Sequence, residues 1–269
     1  MEQRQLLQNS FPVVIEQPVL WGKDKNIHKA ENYKALVDSP TGNVFSIVTN
    51  DYKIIRHEEA IEFMDNELAK TSDLGRYEAI TYLPNNGARL VREYNFPERT
   101  VNIVKKDLVH PKIILYNSYD QFFSLTILLG AVRLVCKNGL VTGKIFFRMK
   151  RKHTCPIKEI NIRKNLSVAM ENFNLQTEIW KHWSQKPLPR KSFFKVMDVM
   201  SLSQQKADTV LDRLNSQSTG KDKDGFPIIT IWNFFNILTA HITHETASIN
   251  QRVVMESRLR KAIVNFQNI

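Results

Sequence analysis

The apolar positions in the first half of the chain follow the pattern of β-strands joined by turns. Residues 33–37 and 44–48 are β-prone runs separated by a Pro- and Gly-containing turn, which predicts a hairpin. Residues 77–83 and 88–94 flank Pro84-Asn85-Asn86-Gly87, and Asn-Gly favours the positive φ angles of a tight turn. A second hairpin is therefore expected. Further strands are predicted for residues 113–116, 122–128, 132–136 and 145–148.

Helical spacing governs one early segment and most of the second half. Residues 58–70 carry Ile61, Met64 and Leu68 three or four positions apart, which predicts one early helix. From residue 158 to residue 183 the apolar residues recur at steps of three, four and seven, as on an amphipathic helix that faces a core. Further helices are predicted for residues 192–200, 204–215, 231–244 and 248–266.

This order of elements predicts an α+β fold, because the regular βαβ alternation of a doubly wound sheet is absent. We expect an antiparallel or mixed sheet with one early helix, followed by a helical C-terminal half. The predicted organisation is an N-terminal extension (residues 1–30), a β-rich core (31–157) and a helical region (158–269) that packs on the core.

Composition indicates a globular protein without a membrane span. Of the 269 residues, 42% are hydrophobic and 24% are charged, and no apolar run approaches the roughly 18 to 20 residues that a spanning helix needs. The polar N-terminus does not resemble a secretory signal, so a cytoplasmic location is expected. The two cysteines, Cys136 and Cys155, belong to no CxxC pair and are expected to be small buried residues.

Positive charge is concentrated in one segment. Residues 121–158 contain eight Lys or Arg and no carboxylate, and extension to residue 165 gives ten basic residues against one acidic residue. That segment therefore carries +9 of the net charge of +11. A field of one sign in a contiguous segment favours a polyanionic ligand, although a solvated cationic surface would have the same composition. A second basic group, on the last predicted helix, is partly neutralised by Glu256 and is interpreted as a solvated face.

The basic segment has the alternation needed to present cations on one side of a strand. A turn is predicted at Asn138-Gly139, with Lys137 at its tip and Arg133 on the same side of the preceding strand. Residues 144, 146, 148 and 150 share one parity, opposed by apolar residues, and Phe146 either stacks on bases or packs inside. The candidate nucleic-acid-binding residues are Arg133, Lys137, Asn138, Lys144, Phe146, Arg148, Lys150, Arg151, Lys152 and His153.

Motifs for catalysis are weak in this sequence. Neither GxxxxGK[ST] nor GxGxxG occurs, which disfavours an ATPase or a nicotinamide enzyme. His241 and His244 lack the HExxH arrangement of zincins, and residues 222–225 lack the ligands of a calcium loop. Two-metal nucleases need clustered carboxylates, which the basic segment does not contain. We therefore expect no catalytic residues, no metal and no cofactor.

Several short motifs resemble those of a known family. Asn117-Ser118-Tyr119-Asp120, the stretch at residues 130–139 with its Arg-x-Val-Cys-x-Asn pattern, His153 and residues 230–233 are similar to a family of phage- and plasmid-borne proteins defined as a domain of unknown function. The resemblance extends from about residue 30 to residue 245 and implies a mobile element in a bacterial host. Within that setting, the layout of elements resembles the architecture of phage single-strand annealing recombinases and their eukaryotic Rad-type relatives.

These observations lead to one expected function and two rivals. The expected protein is a non-enzymatic, homo-oligomeric binder of single-stranded DNA that promotes annealing or recombination through sequence-independent phosphate contacts. The first rival is a protein-interaction module whose basic face binds an acidic host protein, for example to inhibit or regulate a nuclease or restriction system. The second rival is a nuclease or another DNA-modifying enzyme, which would require a divalent metal ion.

Overall fold

A computed structural model describes residues 11–23, 25–71, 74–133, 138–140, 147–154, 162–246 and 249–263. Strands dominate the first half and helices the second, so the predicted α+β class is confirmed. The strands are β1 (Val14–Lys23), β2 (Asn26–Asp38), β3 (Val44–Thr49), β4 (Glu78–Tyr82), β5 (Arg89–Asn95), β6 (Val101–Val104), β7 (Asp107–Ser118), β8 (Leu125–Arg133), β9 (Asn138–Leu140) and β10 (Phe147–Arg151). The helices are α1 (His57–Ala69), α2 (Arg163–Trp183), α3 (Arg190–Met200), α4 (Gln204–Gln217), α5 (Ile231–Glu245) and α6 (Ile249–Ile263).

The main sheet is antiparallel and has β7 near its centre. Its strand order is β10-β8-β7-β5-β4, with β6 paired to β7 and β9 paired to β8. Ile114 of β7 pairs with Leu128 of β8 on one side and with Glu93 of β5 on the other. β10 pairs with β8 and forms one edge of this path. A smaller sheet of β1, β2 and β3 is formed from the N-terminal part of the described chain.

The two faces of the main sheet differ because successive side chains point to opposite sides of a strand. Leu115 and Ile127 belong to the face that packs against the helices, within an apolar cluster that also contains Trp180 and Trp232. The buried Trp232 indole N–H donates to the Asp107 carboxylate at 2.8 Å, which connects α5 to the start of β7. The principal core therefore contains residues from both halves of the chain.

Both predicted hairpins are confirmed. β2 and β3 are antiparallel partners, and β4 and β5 are joined through Asn85, Asn86 and Gly87, which have φ angles of 57°, 52° and 82°. The early helix and all five later helices lie close to their predicted positions. None of the helices in the described ranges is long and apolar enough to span a bilayer.

Two sequence-based predictions need correction, and one strand was not predicted. Asn138-Gly139 is not a turn: Asn138 pairs with Arg133 and Gly139 with Val132, so both residues belong to the β8–β9 ladder. A separate strand was predicted for residues 132–136, but its described residues, 132 and 133, are the end of β8. β1 was not predicted, because its exposed residues and Pro18 hide the alternation that marks a half-buried strand.

Candidate nucleic-acid interface

Four cations within five residues lie on the edge strand β10 and the residue that follows it. Arg148 and Lys150 are exposed on the face of the sheet that is opposite the principal core, whereas Met149 between them is half-buried and packs against that core. Arg151 and Lys152 are also exposed. The strand therefore places two cations on one face and continues with two more at its end. We call these residues the β10 basic surface: Arg148, Lys150, Arg151 and Lys152.

The β10 basic surface differs from other basic positions of the sheet in its ionic contacts. Arg89 donates to Asp120 at 2.6 Å, and Lys112 donates to Glu93 at 3.4 Å. By contrast, none of the four β10 cations forms an ion pair with a carboxylate in the part of the chain that the structure describes. Within the described ranges, their charge is therefore not cancelled by a direct ion pair and is available to a ligand.

Helix α6 adds positive charge beside β10. Burial lowers the pKa of Arg260, Glu256 opposes this change, and the nearby charge of Arg148 lowers the pKa further. Glu256 is itself half-buried, and burial raises the pKa of its carboxyl group against the effect of Lys112 and Arg260. Arg260, a member of the basic group that the sequence suggested to be a solvated face, thus lies within electrostatic range of Arg148 in the β10 basic surface.

The remaining candidate residues fall into three groups. Lys137, Lys144 and Phe146 lie outside the described residues. Arg133 and Asn138 are described only as paired strand positions. His153 is buried, and its ring stacks on Tyr52 with centroids 4.9 Å apart. Since burial also lowers the pKa of His153, its imidazole is not a surface cation like its neighbours, and we leave it out of the interface.

The motif at residues 117–120 forms a buried polar cluster at the end of β7. The Asn117 side-chain amide donates to the Ile55 carbonyl at 2.8 Å and to His57 Nδ1 at 3.0 Å. His57 Nε2–H then donates to the Gly87 carbonyl at 3.0 Å. The backbone N–H of His57 donates to the Tyr119 hydroxyl at 2.8 Å, and the two rings stack at 4.1 Å. The cluster therefore ties α1, the β4–β5 turn and β7 together.

The electrostatics of this cluster indicate a structural role. Burial lowers the pKa of His57 to about 4, while the hydrogen bond to Gly87 acts in the opposite direction. The imidazole is therefore neutral at pH 7, and both of its nitrogens have hydrogen-bond partners. Its contacts position the backbone and leave neither nitrogen free to accept a substrate proton. Sequence reasoning did not find the pair, because 60 residues separate His57 from Asn117.

Asp120 completes the motif and fixes the chain segment that leads into β8. Its carboxylate accepts from Arg89 at 2.6 Å and from the backbone N–H of Phe122 at 3.1 Å. The Arg89 guanidinium also lies 3.8 Å from the centroid of the Phe122 ring, a cation–π contact. Because β8 is the pairing partner of β10, these contacts help to position the strand that carries the basic surface.

Comparison with known proteins identifies one family. The model of a family described as a domain of unknown function, DUF932, matches residues 44–264. That range contains β10, α6 and the polar cluster, and it excludes β1 and β2. No curated protein and no solved structure matches the chain.

Proposed function

Because the chain belongs to the DUF932 family, which is defined without an activity, we propose a function from the chain's own surface. The protein binds single-stranded DNA without sequence preference and promotes annealing or recombination of strands in a phage or another mobile element. The expected site of action is the cytoplasm of a bacterial host. The proposal assigns no catalytic residue and no cofactor.

The observation that carries this proposal is the β10 basic surface. Four exposed cations occur within five residues, and the described carboxylates do not neutralise them. A polyanion gains most from such a site, because each phosphate contact releases condensed counterions. The adjacent Arg260 of α6 extends the positive field beyond the strand.

The spacing of the cations suits a nucleic-acid backbone. Side chains two residues apart on a strand are about 6.6 Å apart along its axis. Neighbouring phosphates of one strand are farther apart than the axial rise of about 3.4 Å, because the backbone winds around the helix axis, so Arg148 and Lys150 are spaced to contact neighbouring phosphates. Contacts confined to phosphates leave the base edges free, as pairing with a second strand requires.

A charge-reversal experiment tests the site. Fluorescence anisotropy with a labelled single-stranded oligonucleotide and its duplex would compare the wild type with a variant in which all four residues of the β10 basic surface are changed to Glu. The matched control changes four exposed lysines elsewhere to Glu: Lys191, Lys206, Lys221 and Lys223. Each variant exchanges four positive for four negative charges, so net charge falls equally, from +11 to +3.

We expect the β10 variant to lose single-strand binding and the control to retain most of it. Equal losses would mean that net charge, and not this surface, governs binding. Retention of binding by the β10 variant would contradict the proposed site. If the wild type binds no DNA at low salt, the rival function, recognition of an acidic host protein, is favoured instead.

A second assay tests annealing itself. Complementary strands labelled with a fluorophore and a quencher would be mixed with each protein, and the rate of quenching would report duplex formation. The wild type and the control should accelerate annealing, whereas the β10 variant should not. A wild type that binds single strands without accelerating their annealing would restrict the function to strand binding.

A further inference from the structure

Phe122 is an exposed aromatic residue whose ring is held in place by its neighbours. It lies between β7 and β8 and is 44% exposed. The Arg89 guanidinium lies 3.8 Å from the centroid of its ring, and the Phe123 ring meets it edge-to-face with centroids 4.7 Å apart. Arg89 is itself fixed by the Asp120 carboxylate, which it contacts at 2.6 Å. A ring fixed in this way has little conformational freedom to lose when a ligand binds.

The backbone that precedes Phe122 has an uncommon conformation. Gln121 has a φ angle of 61°, in the left-handed region that residues other than glycine rarely occupy. Its side-chain amide donates to the Ile47 carbonyl at 3.1 Å, and the backbone N–H of Phe122 donates to the Asp120 carboxylate at 3.1 Å. These hydrogen bonds hold the turn from which the ring projects. Strained backbone that is fixed by its surroundings is concentrated at ligand-binding and active sites.

The aromatic ring and the β10 basic surface belong to the same face of the main sheet. Arg89 pairs with Ser118 of β7. Two residues before Ser118, Tyr116 pairs with Thr126 of β8, which in turn pairs with Lys150 of β10. Paired residues, and residues two apart on one strand, share a face, so the side chains of Arg89 and Lys150 point to the same side of the sheet. The ring that contacts Arg89 is therefore on the side of the cations.

The ring is also close to the end of the β10 basic surface. Arg151, the last residue of β10, pairs with Leu125 of β8, and Phe122 precedes Leu125 by three residues. Three residues of extended chain span about 10 Å at most. A single strand that follows the cations of β10 toward Lys152 is thus led to the ring.

Cations beside an exposed ring are the combination that recognises unpaired nucleotides. The cations neutralise phosphates, and each base that stacks on an aromatic side chain strengthens binding by about 5- to 150-fold. A duplex does not offer this contact without cost, because a base must first leave its stack and its pair. An aromatic ring in this position therefore discriminates between single strands and duplexes, which phosphate contacts alone do not.

We propose that Phe122 stacks on one unpaired base of a single strand that is bound along the β10 basic surface. This contact makes the site prefer single strands to duplexes, while Arg89 holds the ring in position from its other contact face. The inference rests on the proposed function, because it requires a strand on the β10 cations.

A conservative substitution tests the stacking. Phe122→Leu keeps an apolar side chain beside Arg89 and removes the aromatic face. Fluorescence anisotropy would compare this variant with the wild type on three probes: oligothymidylate, a strand of equal length with abasic sites in place of its bases, and a duplex. Oligothymidylate should bind the variant at least about fivefold more weakly than the wild type. The abasic strand and the duplex should bind both proteins equally, since neither offers an unpaired base.

The chain provides a matched control in Phe194 of α3. This residue is 54% exposed and also lies beside an arginine, with the Arg190 guanidinium 5.8 Å from the ring centroid. Phe194→Leu should bind all three probes as the wild type does. Phe122→Tyr, which restores an aromatic face, should recover the affinity for oligothymidylate.

A spectroscopic signal reports the contact independently of affinity. Stacking of a base on an indole quenches its fluorescence, so Phe122→Trp should be quenched by oligothymidylate more strongly than the wild type. Phe194→Trp should show the same quenching as the wild type. Melting temperatures of the position-122 variants close to that of the wild type would show that the fold is intact.

The outcomes separate this inference from the proposed function. If Phe122→Leu binds oligothymidylate as the wild type does, and the four-Glu variant of the β10 basic surface does not bind, the stacking is wrong and the proposed function stands. Equal losses on oligothymidylate, the abasic strand and the duplex would mean that the ring supports the site's structure and contacts no base. A wild type that binds no single strand overturns both proposals.

Discussion

Replacement of His57 should change how the stability of the protein depends on pH. The imidazole is fully buried between Tyr119, Asn117 and the Gly87 carbonyl, and burial lowers its pKa to about 4 from an ordinary value of 6.5. His153 lowers this pKa further, whereas Asp120 raises it. His57→Gln removes the titrating group and keeps an amide that can donate and accept hydrogen bonds.

The sign and size of the effect follow from proton linkage. Above pH 6.5 the imidazole is neutral in both the folded and the unfolded states, so its contribution to stability is complete. As the pH falls from 6.5 to 4, the unfolded state binds a proton that the folded state excludes, and stability is lost. The imidazole pKa differs by about 2.5 between the unfolded and folded states, so the unfolding free energy should fall by about 3 kcal/mol between pH 6.5 and pH 4.

Urea unfolding at a series of pH values between 8 and 4 would measure this loss in the wild type and in His57→Gln. His110 and His153 also have pKa values lowered by burial, so both proteins should lose some stability in acid. The wild type should lose about 3 kcal/mol more than the variant. The control is His182→Gln, which replaces an exposed imidazole and should follow the wild type.

The result that refutes this reasoning is a pH dependence shared by the wild type and His57→Gln. It would mean that the buried imidazole binds its proton as easily in the folded state as in the unfolded state. A lower stability of His57→Gln at pH 8 alone would not count, because that loss reflects hydrogen bonds and packing.

Other predictions concern the contacts that hold the sheet. Asp120→Ala should lower the unfolding free energy by about 3 to 5 kcal/mol, since it removes the carboxylate that pairs with the largely buried Arg89. A loss below about 1 kcal/mol, measured by urea titration, would show that the pair does not stabilise the fold. Leu129→Ala should cost about 2 to 5 kcal/mol because its side chain is 1% exposed in the core, whereas Leu211→Ala should change stability little. Gly87→Ala should lower stability by about 1 kcal/mol or more, since its φ angle is +82° and a Cβ would lie 3.1 Å from Pro12; an unchanged melting midpoint would show that the turn relaxes.

Local chemistry explains why much of the fold could be predicted from the sequence. The β4–β5 hairpin was found because Asn85, Asn86 and Gly87 supply the positive φ angles on their own, whatever the rest of the chain does. The helices were found from one face of apolar residues at helical spacing. The alternation around β10 was also confirmed in its described part, where Met149 faces the core and its two neighbours face solvent.

Contacts distant in sequence account for what could not be predicted. Nothing near Asn138-Gly139 indicates that these residues would pair with β8 and not form the turn that their composition favours. His153 follows three basic residues, yet its ring is buried on Tyr52. Strand β1 was missed because most of its residues are exposed, which leaves no core-facing alternation to detect.

The most direct test of phosphate binding by the β10 basic surface is the salt dependence of its affinity for single-stranded DNA. Affinity would be measured at several salt concentrations for the wild type and for a variant with Arg148, Lys150, Arg151 and Lys152 changed to Gln. Each phosphate contact contributes about −0.7 to the slope of log affinity against log salt concentration, so loss of four contacts should reduce the slope by about 2.8. Equal slopes for the two proteins, or a wild-type affinity that salt does not change, would contradict the account.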